Sequence, residues 1–354
     1  MNEQKWITPV RALHARRPSF SVEDFAILSE FWYPLARAQD IGGDQPVKAM
    51  LLDIELIIYM TKSGYHVARD LCPHRGVPLS MGNVEGDDIV CVYHGLRYGP
   101  NGACTHIPAH PDARPAPSLT VTHFPAVEKY GLIWTCLSPK GEAQIPNFPR
   151  WGQDGYNCIV PPPTKIAASA GRQVEGFIDV AHFAWIHDKS FADRAAPAAA
   201  PYTIRPTETG FSFEYLSDVS NYPKSLQHLQ PPGFKWLRIF EIFLPFTAAL
   251  TVRFPRDGLH NVLNAACPCT AQTTQLFSLV ARNFVETGSE VEAASFKIQI
   301  VHEDQDIAEN QFPIELPLDL ASEGHFGADK ASLMYRRRLS ELGLSLLPRP
   351  QWAR

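Results

Sequence analysis

The chain has 354 residues, 45% of them hydrophobic and 19% charged, with a formal net charge of −5. That length suggests about two domains, each large enough for a real core, and the acidic balance argues against nucleic acid or an acidic membrane as partner. No apolar run reaches membrane-spanning length, since the nearest, Ile239 to Val252, is interrupted by Glu241 and Pro245.

The start, MNEQKWITPV, has no apolar h-region, and seven cysteines is an odd number. A reducing, cytoplasmic location without a secretory signal is therefore expected. Residues 1–29 read as an N-terminal extension, basic and solvated at Arg11, Arg16 and Arg17. Ser21-Val22-Glu23-Asp24 is a helix start with Asp at the capping-box position; the helix is expected to run through Phe25, Ile27 and Leu28 toward Phe31-Trp32 and to stop before Pro34.

Residues 30–140 read as a small β-domain. Met50-Leu51-Leu52 and Leu56-Ile57-Ile58-Tyr59 flank a turn at Asp53, Lys62-Ser63-Gly64 is a second turn, and Gly99-Pro100-Asn101-Gly102 a third. Tyr130 to Leu137 is expected as the closing strand. Within this domain, Leu71 to Tyr98 reads LCPHRGVPLSMGNVEGDDIVCVYHGLRY: Cys72 and His74 one residue apart, a 16-residue spacer, then Cys91 and His94 two apart. Two thiolates and two imidazoles in paired loops suit a Rieske [2Fe-2S] cluster, with Cys72 and Cys91 on one iron and His74 and His94 on the other. A structural zinc site shows C-x2–4-C or H-x3–5-H pairs, which this stretch lacks. Gly76, Gly82 and Gly95 would ease the tight backbone around the sulfurs. Cys104, Cys136 and Cys158 read as structural, and Cys267-Pro268-Cys269 as two small buried residues in a strand.

Pro139, Pro146, Pro149 and Pro161-Pro162-Pro163 mark residues 141–165 as a linker. The second domain, 166–354, opens with a helical stretch from Gly171 to His187. Strand-like runs follow at Gly210–Leu216, Trp236–Phe243, Thr247–Phe254, Leu259–Ala266 and Gln275–Asn283. Ser289-x-x-Glu292 caps a long helix reaching about Gln311, and a last helix, Lys330 to Leu342, is stopped by Gly343. In the first helix, Asp179, His182 and His187 form D-x-x-H-x-x-x-x-H, with Asp179 and His182 on one helix face. His187 would sit about 140° round from His182 on an ideal helix, so the imidazoles converge only if the helix ends or bulges between them. Two His and one carboxylate make the facial triad of non-haem iron oxygenases. Glu303, Asp304, Asp306 and Glu309 are the candidate carboxylates. Apolar residues of the second-domain sheet are expected to line the substrate pocket, with Tyr215, Trp236 and Phe240 as candidates.

On these motifs the chain resembles the oxygenase (α) component of the Rieske non-haem iron oxygenases from Phe31 to Leu344. The motifs CPHRGVPLSMG, IPAHPD (Ile107–Asp112) and IDVAHFAWIHD (Ile178–Asp188) carry the likeness to saxitoxin-pathway hydroxylases, and caffeine and dicamba demethylases are similar too. The resemblance implies an α+β protein: an all-β Rieske domain, then a helix-grip (START-like) catalytic domain with an antiparallel sheet. It places Cys72, His74, Cys91 and His94 on the cluster, His182, His187 and Asp304 on a mononuclear Fe(II), and Asp179 on the bridge between a cluster His of one subunit and an iron His of the next. That bridge implies a head-to-tail homotrimer. Where the family often has Asn near the iron, this chain has Gly176, leaving space or a water there.

The implied reaction uses O2 and two electrons to oxidise a C–H bond of a small organic substrate, heteroaromatic or alkaloid-like. It is a monooxygenation, either oxidative N- or O-demethylation or hydroxylation. Electrons would come from NAD(P)H through a separate flavin- or ferredoxin-type reductase, because no G-x-G-x-x-G fingerprint occurs here. Three other readings make different demands. A cis-dihydroxylating dioxygenase would share both metal centres, an electron-transfer Rieske protein would not need the Asp179–His187 motif, and a zinc module would be colourless.

Overall fold

The computed structural model describes residues 15–284 and 290–346; the expected basic Arg11 and the Ser289 cap lie outside them. The chain divides into two compact units, Met1–Ile145 and Pro146–Arg354.

The first unit opens with helix α1 (Val22–Leu28), whose N-cap Ser21 accepts from Asp24 N at 2.9 Å. It ends at Ser29, one turn earlier than the sequence suggested. Three antiparallel sheets follow. Strand β1 (Tyr33–Arg37) belongs with two strands from the end of the unit; β2 (Val47–Leu51), β3 (Ile54–Thr61) and β4 (Gly64–Arg69) form the second sheet. The β2–β3 hairpin turns through Leu52 and Asp53, both at positive φ, the twist that a tight hairpin requires. The third sheet, β5 (Asn83–Glu85), β6 (Asp88–Val90), β7 (Arg97–Tyr98) and β8 (Cys104–His106), carries the cysteine–histidine stretch. Strand β9 (His123–Phe124) adds to β4, while β10 (Val127–Lys129) and β11 (Leu132–Thr135) complete the first sheet. Tyr130 and Gly131, both at positive φ, are the β10–β11 turn rather than the start of a strand.

The second unit is one eight-stranded antiparallel sheet with helices against it. Strand β12 (Asn157–Ile159) lies within the stretch expected as a linker and β13 (Thr164–Ile166) begins in it, and both pair with the last strand of the sheet. Helix α2 (Ala170–Ile178) and the single turn α3 (Phe183–Ile186) come next, then β14 (Ile204–Thr207), β15 (Gly210–Ser217), β16 (Trp236–Phe243), β17 (Thr247–Arg253), β18 (Leu259–Thr270) and β19 (Thr273–Arg282). These pair in the order β12-β19-β18-β17-β16-β15-β14. Burial alternates along β15 and β16, the period-2 signature of a strand with one inward face. Helix α2 packs across β17, β18 and β19 and against α4 (Glu290–Ala308) and α5 (Lys330–Glu341). The observed class is α+β, as the resemblance implied.

Helix α2 does not continue to His187. It stops at Asp179, where the backbone turns extended; Asp179 Oδ1 accepts from Ala181 N at 2.8 Å. Asp competes in this way for backbone donors and favours a turn over a helix. The expectation that Asp179 and His182 share a helix face is therefore corrected: a side-chain turn brings them together.

Candidate metal centres

In the first unit, Cys72 and Cys91 sit in two loops built alike. Cys72 N donates to Val77 O at 2.8 Å and Gly76 N to Cys72 O at 2.9 Å; Cys91 N donates to Leu96 O and Gly95 N to Cys91 O, both at 2.9 Å. Gly76 and Gly95 have φ of 70° and 69°, which a side chain would disfavour. A Cβ on Gly82 would fall 1.9 Å from the Val90 carbonyl oxygen. Both sulfurs are buried, in a core that includes Ile57, Leu79, Ile89 and Tyr98. His74 is half-buried, His94 is exposed, and their rings lie 4.8 Å apart.

Tyr98 OH is 3.2 Å from Cys72 Sγ. Burial pushes the Cys91 thiol up and the adjacent Cys72 adds to this, while the backbone N–H groups of Tyr93 and His94 oppose it by donating to the sulfur. Buried sulfurs with N–H donors aimed at one of them, beside two less buried imidazoles, suit a cluster with sulfur-side burial and His-side exposure.

In the second unit, three donor atoms converge. His182 Nε2 and His187 Nε2 are 3.1 Å apart, and Asp304 Oδ1 is 3.1 Å from His187 Nε2 and 3.5 Å from His182 Nε2. Ligands at roughly 2.1 Å from a metal and at right angles would be about 3.0 Å apart. The other ring nitrogens are occupied. His182 Nδ1 donates to Asp179 Oδ2 at 3.3 Å, and His187 Nδ1 to Glu303 Oε2 at 2.8 Å. Both Nε2 lone pairs therefore face a carboxylate oxygen and each other, an arrangement that calls for a cation at their centre. Among the described residues this is the one group of three such donors able to hold a metal ion.

His187 is buried, which by itself lowers its pKa. The Asp304 and Glu303 carboxylates outweigh that and raise it. For Asp179, burial raises the pKa, but hydrogen bonding and attraction to His182 win and lower it.

Beside the triad is a cavity of about 400 Å³. His182, His187 and Asp304 open into it, with Phe177, Phe183, Phe191 and Phe240 among its walls. Of the pocket candidates, Phe240 lines it. Tyr215 and Trp236 are fully buried elsewhere, Trp236 in an aromatic cluster with Tyr222 and Phe254. A smaller cavity of about 100 Å³ lies against Gly176, Asp179, His182 and Asp304. A Cβ at Gly176 would meet nothing within 4 Å, so the space expected there exists.

Residues 31–128 match the family described as the Rieske [2Fe-2S] domain, and residues 166–344 the vanillate O-demethylase oxygenase C-terminal domain. The chain is 30% identical over 324 residues to the methylxanthine N1-demethylase NdmA of Pseudomonas putida, covering 89% of each. This chain belongs to the Rieske non-haem iron oxygenases. The dicamba O-demethylase oxygenase component of Stenotrophomonas maltophilia is 32% identical over 164 residues, 44% of this chain and 46% of that one. The structure of NdmA with caffeine superposes with a TM-score of 0.79 at 28% identity, covering 90% of this chain and 92% of that one.

As a Rieske monooxygenase component, the chain uses a [2Fe-2S] cluster, a mononuclear iron and O2, and the donor sets just described fit the two metal groups. Glu303 is the residue of the site whose contact the sequence did not reveal. The sequence offered it only as a possible ligand, whereas it holds the far nitrogen of His187, supported by Ser190 Oγ and Gln299 Nε2, each 2.8 Å from it. The signal available was its position next to Asp304.

Proposed function

We propose that the chain is the oxygenase component of an oxidative N- or O-demethylase acting on a small aromatic or heteroaromatic substrate. The observation that carries this reading is the His182–His187–Asp304 triad at the mouth of an apolar cavity large enough for such a molecule. The curated relatives' substrates supply the methyl group as target. In this reading, residues 30–140 form the Rieske domain and 166–354 the catalytic domain, with the 141–165 connection lending strands to the catalytic sheet. Cys72, His74, Cys91 and His94 hold the cluster, and His182, His187 and Asp304 the iron.

Held by His182, His187 and Asp304, an iron would supply O2 activation, and with two electrons and two protons the overall change would be methyl C–H to C–OH with the second oxygen released as water. The hydroxymethyl group then breaks down to formaldehyde and the demethylated product. The chain's own residues prepare this step. Asp179 and Glu303 keep the Nδ1 protons of His182 and His187 in place, so that both Nε2 atoms remain free to ligate. Phe183 and Phe191 flank His187, the latter stacked at 4.8 Å, and exclude water from that side.

Asp179 is a positioning residue between centres of neighbouring subunits in a head-to-tail homotrimer. Support comes from exposed apolar residues at both centres: Val92 and Tyr93 beside His94, and Trp185 between the two iron histidines. The oxygenase works in the cytoplasm with a separate NAD(P)H-dependent reductase, since its own chain carries no dinucleotide fingerprint. No helix among the described residues is long and apolar enough to cross a membrane.

Turnover with a surrogate reductase, NADH and labelled O2 on methylated heteroaromatics, aryl ethers and guanidinium alkaloids tests the reading. Formaldehyde matching NADH consumption is expected. A product one labelled oxygen heavier, without formaldehyde, would make the enzyme a hydroxylase.

A further inference from the structure

Strand register arranges the cavity side of the second-unit sheet in rows. Arg238, Val252, His260 and Arg282 stand opposite one another across β16 to β19. Two residues along each strand, Phe240, Leu250, Val262 and Val280 form an apolar row. Two further, Asn264 and Ser278 face the same cavity. Residues directly opposite in a sheet share a face, so a flat molecule lying on the apolar row has a basic row at one edge.

Arg238 is the unusual member. It is 1% exposed, yet its guanidinium meets only neutral acceptors: Ser217 Oγ at 3.2 Å, Val219 O at 3.0 Å, Ser220 O at 3.2 Å and Asn221 Oδ1 at 3.2 Å. All four are reached through Nη1 and Nη2, and none carries a charge. No described carboxylate forms an ion pair with it. The two other buried arginines of this unit that make ion pairs, Arg172 and Arg336, both rest on Glu175 and Glu323. Burial lowers the Arg238 pKa to about 10, which leaves it charged at neutral pH. A buried cation without a counter-charge is costly, and this one lines the substrate cavity.

We propose that Arg238 anchors an oxyanion group of the substrate, a carboxylate or sulfonate, so that the enzyme selects an anionic methylated aromatic over a neutral one. The fate of the methyl group rests on the demethylation reading; the anion rests on the cavity. Arg238 Cζ lies 5.3 Å from the Phe183 ring centroid, and that ring lies 5.0 Å from the ring of His182. Arg238 and the triad line the same cavity, so one aromatic substrate can present an oxyanion to the guanidinium and a methyl ether or N-methyl to the triad. The guanidinium fork matches such a group geometrically and electrically.

The test is calorimetric binding to the metal-loaded enzyme of a panel of methoxy- and N-methyl-substituted benzoates and benzenesulfonates, each paired with its uncharged amide, and of caffeine. At least one oxyanion should bind roughly 10- to 100-fold more tightly than its amide, and the two oxyanion arms show which group is preferred. Arg238→Gln should abolish the ratio between oxyanion and amide, and Arg238→Lys should retain part of it. A panel in which no oxyanion outbinds its amide, or an Arg238→Gln enzyme that keeps the preference, overturns the proposal. If Arg238→Gln fails to fold, Arg238→Lys takes its place: an unchanged oxyanion preference in that variant overturns the proposal, and a reduced one supports it. Formaldehyde assays on the same panel separate the two readings. Preferred anions oxidised without formaldehyde uphold the anchor and overturn demethylation; neutral substrates demethylated without any anion preference do the reverse.

Discussion

Glu303 and Asp304 are neighbours in sequence and have different partners, because successive residues on a helix point about 100° apart. Asp304 Oδ1 meets both Nε2 atoms, and Glu303 Oε2 meets His187 Nδ1. Glu303→Ala should therefore weaken mononuclear iron binding by roughly 10- to 100-fold while cluster absorbance is unchanged, as iron titration followed by visible spectra would show. Asp179→Asn should leave both metals bound and stop turnover; the distinguishing readout is re-oxidation of the reduced cluster by O2 in a single turnover, which a merely structural residue would not affect. Tyr98 OH, 3.2 Å from Cys72 Sγ, would stabilise the added negative charge of a reduced cluster held by that sulfur. Tyr98→Phe should lower the midpoint potential by roughly 40 mV, a one-electron equivalent of one hydrogen bond. At this scale the spacing of Cys72, His74, Cys91, His94, His182 and His187 was legible because each proposed ligand pair sits within a short stretch of chain. Glu303 was not, because its partner is more than a hundred residues away and only tertiary packing reveals which nitrogen it meets.

The elements hold these side chains through a buried ionic network. Arg336 donates to Glu175 Oε1 at 2.6 Å and Oε2 at 2.8 Å and to Glu323 Oε2 at 2.6 Å; Arg172 donates to Glu323 Oε1 at 2.5 Å. This fastens α2, and with it the turn carrying Asp179 and His182, to α5. Glu175→Ala would leave buried guanidinium charge without its main partner and should cost about 3 kcal/mol, a fall in melting temperature of roughly 6–12 °C. Burial raises the Glu323 pKa, but Arg172 and Arg336 outweigh it and hold the carboxyl below its usual range. A depressed folded-state pKa stabilises the fold above the ordinary carboxylate range, and that contribution is lost as pH falls through the folded value. Acid unfolding should accordingly become less steep in Glu323→Gln, which thermal melts between neutral and acidic pH would measure. The strands of the second sheet were legible from alternation, Trp236–Phe243 to the residue. The break in α2 was not, because it depends on Asp179 choosing Ala181 N over the helix, a local competition that composition does not decide.

At the scale of the whole molecule, the sequence placed a β-rich unit bearing one Cys/His set ahead of a sheet-and-helix unit bearing a His/carboxylate set, and the structure has that order. Two strands, Asn157–Ile159 and Thr164–Ile166, were hidden in the proline-rich stretch because short edge segments paired to a distant strand leave little periodicity. The substrate cavity was equally hidden, since it is formed by register across four strands rather than by any run of residues. The central claim is that one chain carries two distinct iron centres held by these two sets. Iron and acid-labile sulfide measured side by side in the wild type and in Asp304→Ala test it most directly. The account predicts about three irons and about two sulfides per wild-type chain, and loss of only the mononuclear iron in the variant, with the cluster's colour retained. Unchanged iron in Asp304→Ala would contradict it; loss of both centres would mean that the variant had misfolded, and Asp304→Asn would then replace it under the same criterion.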